Sequence, residues 1–150
     1  MHHLTRLSLR IAWHEWFPAS TEIWSDFSVS AGDVVRANVT AFSLTSGIAI
    51  IENLTTGQSQ SVYLNSTHPL CGQNAEWIVE DYLLGDEQVP FANFSTVTFT
   101  DAVATGLDGT FLTPEGGLIV DIQGNGQVLT SVSVNGSSLT VQYVKAQERK

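Results

Sequence analysis

The sequence predicts an all-β fold, an antiparallel β-sandwich or barrel, on three observations. Apolar and polar residues alternate with period two in nine short runs. Gly-rich turn signals separate those runs. None of them repeats its apolar residues at the spacing of a long amphipathic helix, and many short strands joined by such turns form sandwiches or barrels.

In chain order the predicted strands are RIAWHEWF (10–17), VVRANVTAF (34–42), GIAIIEN (47–53), SVYL (61–64), AEWIVED (75–81), STVTFTD (95–101), GLIVDI (117–122), VLTSVSV (128–134) and SLTVQYV (138–144). Turns are expected at Thr56-Gly57, Asp108-Gly109, Gly116-Gly117, Gly124-Asn125-Gly126 and Asn135-Gly136, the last being the clearest hairpin. The chain carries no internal repeat, low-complexity tract or linker, so 150 residues at 43% hydrophobic predict one domain over 1–150. Residues 1–11 form a divergent N-terminus, and 145–150 (KAQERK) a solvated tail.

Charge is distributed unevenly. The six basic residues are Arg6, Arg10, Arg36, Lys145, Arg149 and Lys150, so Ala37 to Val144 contains ten carboxylates and no Lys or Arg. A nucleic-acid partner is excluded for want of a basic footprint, and no run of 18 apolar residues is present to cross a bilayer as a helix. Unpaired carboxylates repel one another near neutral pH and relax as they protonate, which suits an acidic working environment. Acidity that serves solubility alone is the other account.

Cys71 is the lone cysteine, so no disulfide framework forms within the chain. Five Asn-x-Ser/Thr sequons, at Asn38, Asn53, Asn65, Asn93 and Asn135, lean towards secretion, whereas MHHLTRLSLRIAW lacks the apolar core of a signal peptide. His2, His3, His14 and His68 are scattered away from ligand spacing, so no metal is expected, and no Gly-x-Ser-x-Gly elbow is present. Cys71 reads as a small hydrophobe rather than a nucleophile.

Two runs set acids among aromatics. On a strand, Glu76, Ile78 and Glu80 of NAEWIVEDY (74–82) share one face, and Trp77, Val79 and Asp81 the other. In AWHEWFP (12–18), Trp13, Glu15 and Phe17 share a face. Carboxylates set into an aromatic wall suit a peptide or sugar groove; tryptophans that simply fill a core are the alternative.

AWHEWFP, AGD (31–33), ENLTTGQ (52–58), LCGQNAEWIVEDY (70–82), VPFANF (89–94) and VTFTDA (97–102), in that order, resemble the glutamic peptidases of fungi, the eqolisin family, from about Ala12 to Val144. The resemblance implies a secreted, acid-active endopeptidase on a concanavalin A-like β-sandwich that cleaves polypeptide substrates without metal or cofactor. In that family a glutamate activates a water, and a glutamine amide holds the water and the developing oxyanion. Carried onto this chain, the glutamate is Glu80, with Glu76 its rival on the same face, and Trp13 and Glu15 match residues that line the substrate groove. A concave groove walled by Trp13 and Glu15 and faced by Glu80 is therefore expected.

The departures are specific. The family's glutamine lies in a Gln-x-Gly strand before AWHEWFP, and residues 1–11 contain no glutamine; those at 58, 60, 73, 88, 123, 127, 142 and 147 fall outside that context. Ile11 stands where relatives often carry an acid, and Cys71 lacks the cysteine partners of several relatives. The expectation is a sandwich missing its first strands, with exposed strand edges and impaired catalysis. A non-catalytic peptide- or carbohydrate-binding sandwich and an inactive gene fragment are the alternatives.

Overall fold

The computed structural model describes residues 11–144 except 82, 85–86, 89–90 and 125. Residues 1–10 of the divergent N-terminus, the 145–150 tail and Tyr82 of the acidic motif lie outside the described residues, as do Val89 and Pro90 of VPFANF. Among the described residues every regular element is a β-strand, and every strand pairing is antiparallel. The chain divides into two compact units, 1–74 and 75–150.

In the first unit, β1 (Trp13–His14) pairs with β2 (Glu22–Ile23), and β3 (Val35–Ser43), β4 (Ser46–Asn53) and β5 (Gln58–Asn65) form a meander. Alternation decides what each strand buries. Ala49 and Ile51 of β4 and Val62 and Leu64 of β5 face a core with Ala12, Trp24, Phe27 and Val29. A register shift between Ala41 and Ser43 leaves Phe42 as the bulged residue beside the β3–β4 turn. Val39 stands opposite buried Ala49 yet is 78% exposed. β3 thus borders the three-stranded sheet, and its apolar side is open among the described residues.

The turns of this unit are held by motif residues. Asn53 is fully buried at the end of β4; its amide donates to the Ser28 carbonyl and the Asp33 carboxylate, and its oxygen accepts the backbone N–H groups of Thr55 and Thr56. Gly57 then closes the β4–β5 turn at φ 78°, a conformation that glycine adopts without a Cβ clash. Gln58 accepts from both the backbone N–H and the hydroxyl of Ser28. AGD and ENLTTGQ are therefore one hydrogen-bonded corner.

In the second unit, β6 (Leu83–Leu84) pairs with β7 (Glu87–Gln88), β9 (Ala104–Thr105) with β10 (Phe111–Leu112), and β11 (Gln123–Gly124) with β12 (Gln127–Val128). The larger sheet has the order β13 (Thr130–Asn135), β14 (Ser138–Tyr143), β8 (Thr96–Phe99). Its apolar side places Phe99, Val132, Val134, Leu139 and Val141 over Ala102, and its other side is Thr, Ser and Gln, with Thr98 and Thr140 hydroxyls 3.2 Å apart.

Four expectations need correction. AEWIVED is not in a hydrogen-bonded ladder among the described residues, although its faces alternate as expected; the sequence pattern specifies the faces, and a ladder additionally needs a partner strand. GLIVDI lies outside any strand, with Leu118 92% exposed. Among the described residues of RIAWHEWF only Trp13–His14 is paired as a strand, and the chain turns at 17–19. The hairpin is shifted by one residue as well: Asn135 pairs with Ser138, so the turn is Gly136-Ser137, with Gly136 supplying the positive φ of 58°.

Candidate active site

Trp13 and Glu15 are carried by the β1–β2 hairpin of the first unit. The register pairs Trp13 with Ile23 and His14 with Glu22, so Glu15 falls opposite Thr21, whose hydroxyl donates to the Glu15 carboxylate at 3.0 Å. Alternation turns His14 and Trp16 inwards and leaves Trp13, Glu15 and Phe17 exposed, as the sequence predicts. The His14 ring packs on Trp24 with centroids 4.9 Å apart, and the Trp16 indole N–H donates to the His68 carbonyl. The hairpin is anchored by its inner face and presents an aromatic and a carboxylate on its outer one. Thr21 as the partner of Glu15 was not foreseen; continuing the antiparallel register two residues beyond Trp13 would have found it.

Glu76 and Glu80 belong to the second unit. Trp77 and Val79 pack against Ala102, Leu139 and Val141, while Glu76, Ile78 and Glu80 are exposed. Two side chains in the core fix the direction of the intervening and flanking ones, so both acids project from one side of the segment. Neither carboxylate takes part in an ion pair or hydrogen bond among the described residues. Glu76 and Glu80 thus share the exposed side of one segment, and Trp13 and Glu15 the exposed side of the hairpin, on separate units.

The remaining candidates hold no comparable position. Cys71 is exposed, a correction to its expected role as a buried small hydrophobe, and among the described residues it has no disulfide partner. No cluster of three His, Cys, Asp or Glu suited to a metal occurs among the described residues. Gln58 is bound to Ser28 inside the motif corner.

The chain matches the Peptidase A4 family over residues 10–143. It belongs to that family. It is 47% identical over 135 residues to aspergillopepsin-2 of Aspergillus niger, covering 89% of this chain and 48% of the relative. The chain thus spans about half the length of that relative. Among solved structures, aspergilloglutamic peptidase from Aspergillus niger superposes with a TM-score of 0.83 at 46% identity, covering 89% of this chain and 79% of the other. Scytalido-glutamic peptidase, crystallised with a transition-state analogue inhibitor, gives 0.82 at 40% identity, covering 89% and 69%. The fold class of this A4 chain is therefore all-β and antiparallel, of the β-sandwich type of those glutamic peptidases, as the motifs implied.

Proposed function

We propose that this A4 chain supplies the carboxylate of a glutamic endopeptidase site, with Glu80 as the general base that takes a proton from the water attacking a peptide carbonyl. The observation that carries the assignment is the outward, unpaired carboxylate of Glu80 on a segment whose alternate side chains, Trp77 and Val79, are seated in the core. A base so mounted keeps its position while its carboxylate reaches a substrate. Glu76, two turns of the alternation earlier, and the Trp13–Glu15 face of the hairpin bind the polypeptide. Scytalido-glutamic peptidase, crystallised also with a peptide-based transition-state analogue, supports a polypeptide substrate. Ten carboxylates without a basic residue from Ala37 to Val144 support work in acid, and the sequons support an extracellular location.

Turnover by these 150 residues is impaired, because no glutamine of the chain stands in the context from which the family's oxyanion donor comes. Loss of one such donor lowers kcat about 10²- to 10³-fold in a well-studied protease, and loss of the water's second anchor adds to that. The deciding experiment incubates the purified chain with a denatured protein at acid pH beside Glu80→Gln and Glu76→Gln. A faint parent activity abolished by Glu80→Gln and retained by Glu76→Gln is expected. Robust parent cleavage would refute the impairment, and loss with Glu76→Gln alone would move the base to Glu76.

A further inference from the structure

The five sequons are not equivalent in the folded chain. Asn53 is fully buried, and its amide nitrogen donates to Ser28 and Asp33, so a glycan there is incompatible with the corner it holds. Asn65 is exposed at the end of β5, with Thr67 at the sequon's hydroxyl position also exposed. Its side chain leaves the sheet on the side opposite the core, the side that also carries Ser59, Ser61 and Tyr63.

That side bears two exposed aromatic residues. Tyr63 is 73% exposed and Phe42 60% exposed, and their rings lie 6.3 Å apart between centroids, inclined by 36°. Half-buried Ile48 and Ile50 of β4 stand beside Tyr63 and Ser61 on this face, so the two rings are the exposed end of an apolar strip, a surface suited to contact. Tyr63 precedes Asn65 by two residues on the same face, which separates them by about 6.7 Å along the strand, within reach of a sugar joined directly to the asparagine. The other sequons lack this arrangement. The residue two before Asn38 is Arg36, bound to Glu52; before Asn135 it is Ser133; before Asn93 it is Phe91, half-buried against Phe94 and Tyr143.

We propose that Asn65 is an N-glycosylation site whose first N-acetylglucosamine packs on the Tyr63–Phe42 ring pair. The donor is a polyprenyl-pyrophosphate-linked oligosaccharide of the secretory membrane. A bond forms between Asn65 Nδ2 and the anomeric carbon, the bond from that carbon to the pyrophosphate oxygen breaks, and the lipid pyrophosphate leaves with the proton lost by Nδ2. The sugar's apolar C–H face then covers the tyrosine ring, as amphipathic aromatic faces favour.

The inference rests on the extracellular location proposed above, and the test supplies the route itself. The full 150-residue chain is expressed behind a cleavable leader in a eukaryotic secretory host, and peptides are mapped for the Asn-to-Asp conversion left by glycan removal. Occupancy at Asn65 and none at Asn53 is expected; a secreted, folded chain with Asn65 bare, or with Asn53 occupied, overturns the site. For the ring platform, the chain trimmed to a single N-acetylglucosamine is compared with Asn65→Gln, in the presence and absence of Tyr63→Ser. The sugar raises Tm by about 2–4 °C with the tyrosine present, and the gain vanishes with Tyr63→Ser. An equal gain in both backgrounds overturns the packing, and the exposed position of Tyr63 keeps the variant folded.

Discussion

Asn53 donates its side-chain amide to the Asp33 carboxylate at 2.8 Å, joining two motif words that lie 20 residues apart. Asp33 also accepts the backbone N–H of Ser30 at 2.7 Å, so a single carboxylate fixes the turn before β3 and the end of β4. Two of the motif words, AGD and ENLTTGQ, are thus joined structurally. They shape the meander, and the residues proposed for the chemistry lie elsewhere.

Removing this corner should be costly. Asn53→Ala leaves the Thr55 and Thr56 N–H groups and the Asp33 carboxylate without their shared partner, and destabilisation of about 2–4 kcal/mol is expected. The urea midpoint reports it. Gln60→Ala, with a half-buried side chain outside the corner, should change the midpoint by less than half as much; equal losses would refute the special standing of Asn53.

The seating of the acidic segment predicts an alternating mutational pattern. Val79→Ala withdraws two carbons from the cluster around Leu139 and Val141, costing about 1–2 kcal/mol, whereas Ile78→Ala on the exposed side costs under about 0.5 kcal/mol. Thermal melts of the two variants check the direction in which Glu80 projects. If Ile78→Ala is the more damaging, the segment is turned over and Glu80 faces inwards.

Gly47 is required by close approach of two backbones. A Cβ at this position would meet the Thr40 carbonyl oxygen at 2.6 Å, and that oxygen belongs to β3 and cannot swing aside as a flexible side chain does. Gly47→Ala should therefore separate β3 from β4 locally and cost about 1–3 kcal/mol. Faster hydrogen exchange at Ala41 and Thr40 in the variant would locate the damage, and unchanged exchange with unchanged stability would contradict it.

Arg36 and Glu52 form the ion pair that spans β3 and β4, with Nε and Oε2 2.5 Å apart. The hydrogen bond from Arg36 holds the Glu52 carboxyl below its ordinary value, so the folded chain binds that proton less readily than the unfolded chain. The sign follows: the pair's contribution is present above the ordinary glutamate range and is lost as pH falls through the lowered value. The same direction holds for Asp108, lowered by the Thr110 backbone N–H at 2.9 Å. The stability difference between the parent and Glu52→Gln should shrink from about pH 6 to about pH 3, and shrink with added salt because the pair is open to solvent. A difference independent of pH would exclude the pair as its source.

Local pattern alone determined a good deal here. Period-two alternation specified the all-β class, the strand segments that become β3, β4 and β5, and the faces on which Glu76 and Glu80, or Trp13 and Glu15, stand, and a turn signal marked the β13–β14 hairpin. These features depend on residues one or two positions apart, and such neighbours carry the information in their own order. The motif words likewise pointed to the glutamic peptidases. Tertiary structure decided the rest. Whether 75–81 and 117–122 enter a ladder depends on partner segments remote in the chain, and an apolar run alone does not supply one. The turn at Gly136-Ser137 was fixed by the pairing of Val134 with Leu139, which a dipeptide signal cannot register. Asn53 and Asn65 carry the same Asn-x-Thr signature, yet one is the buried centre of a corner and the other an open strand end. Burial belongs to the packed fold, and the tripeptide that spells a sequon does not encode it.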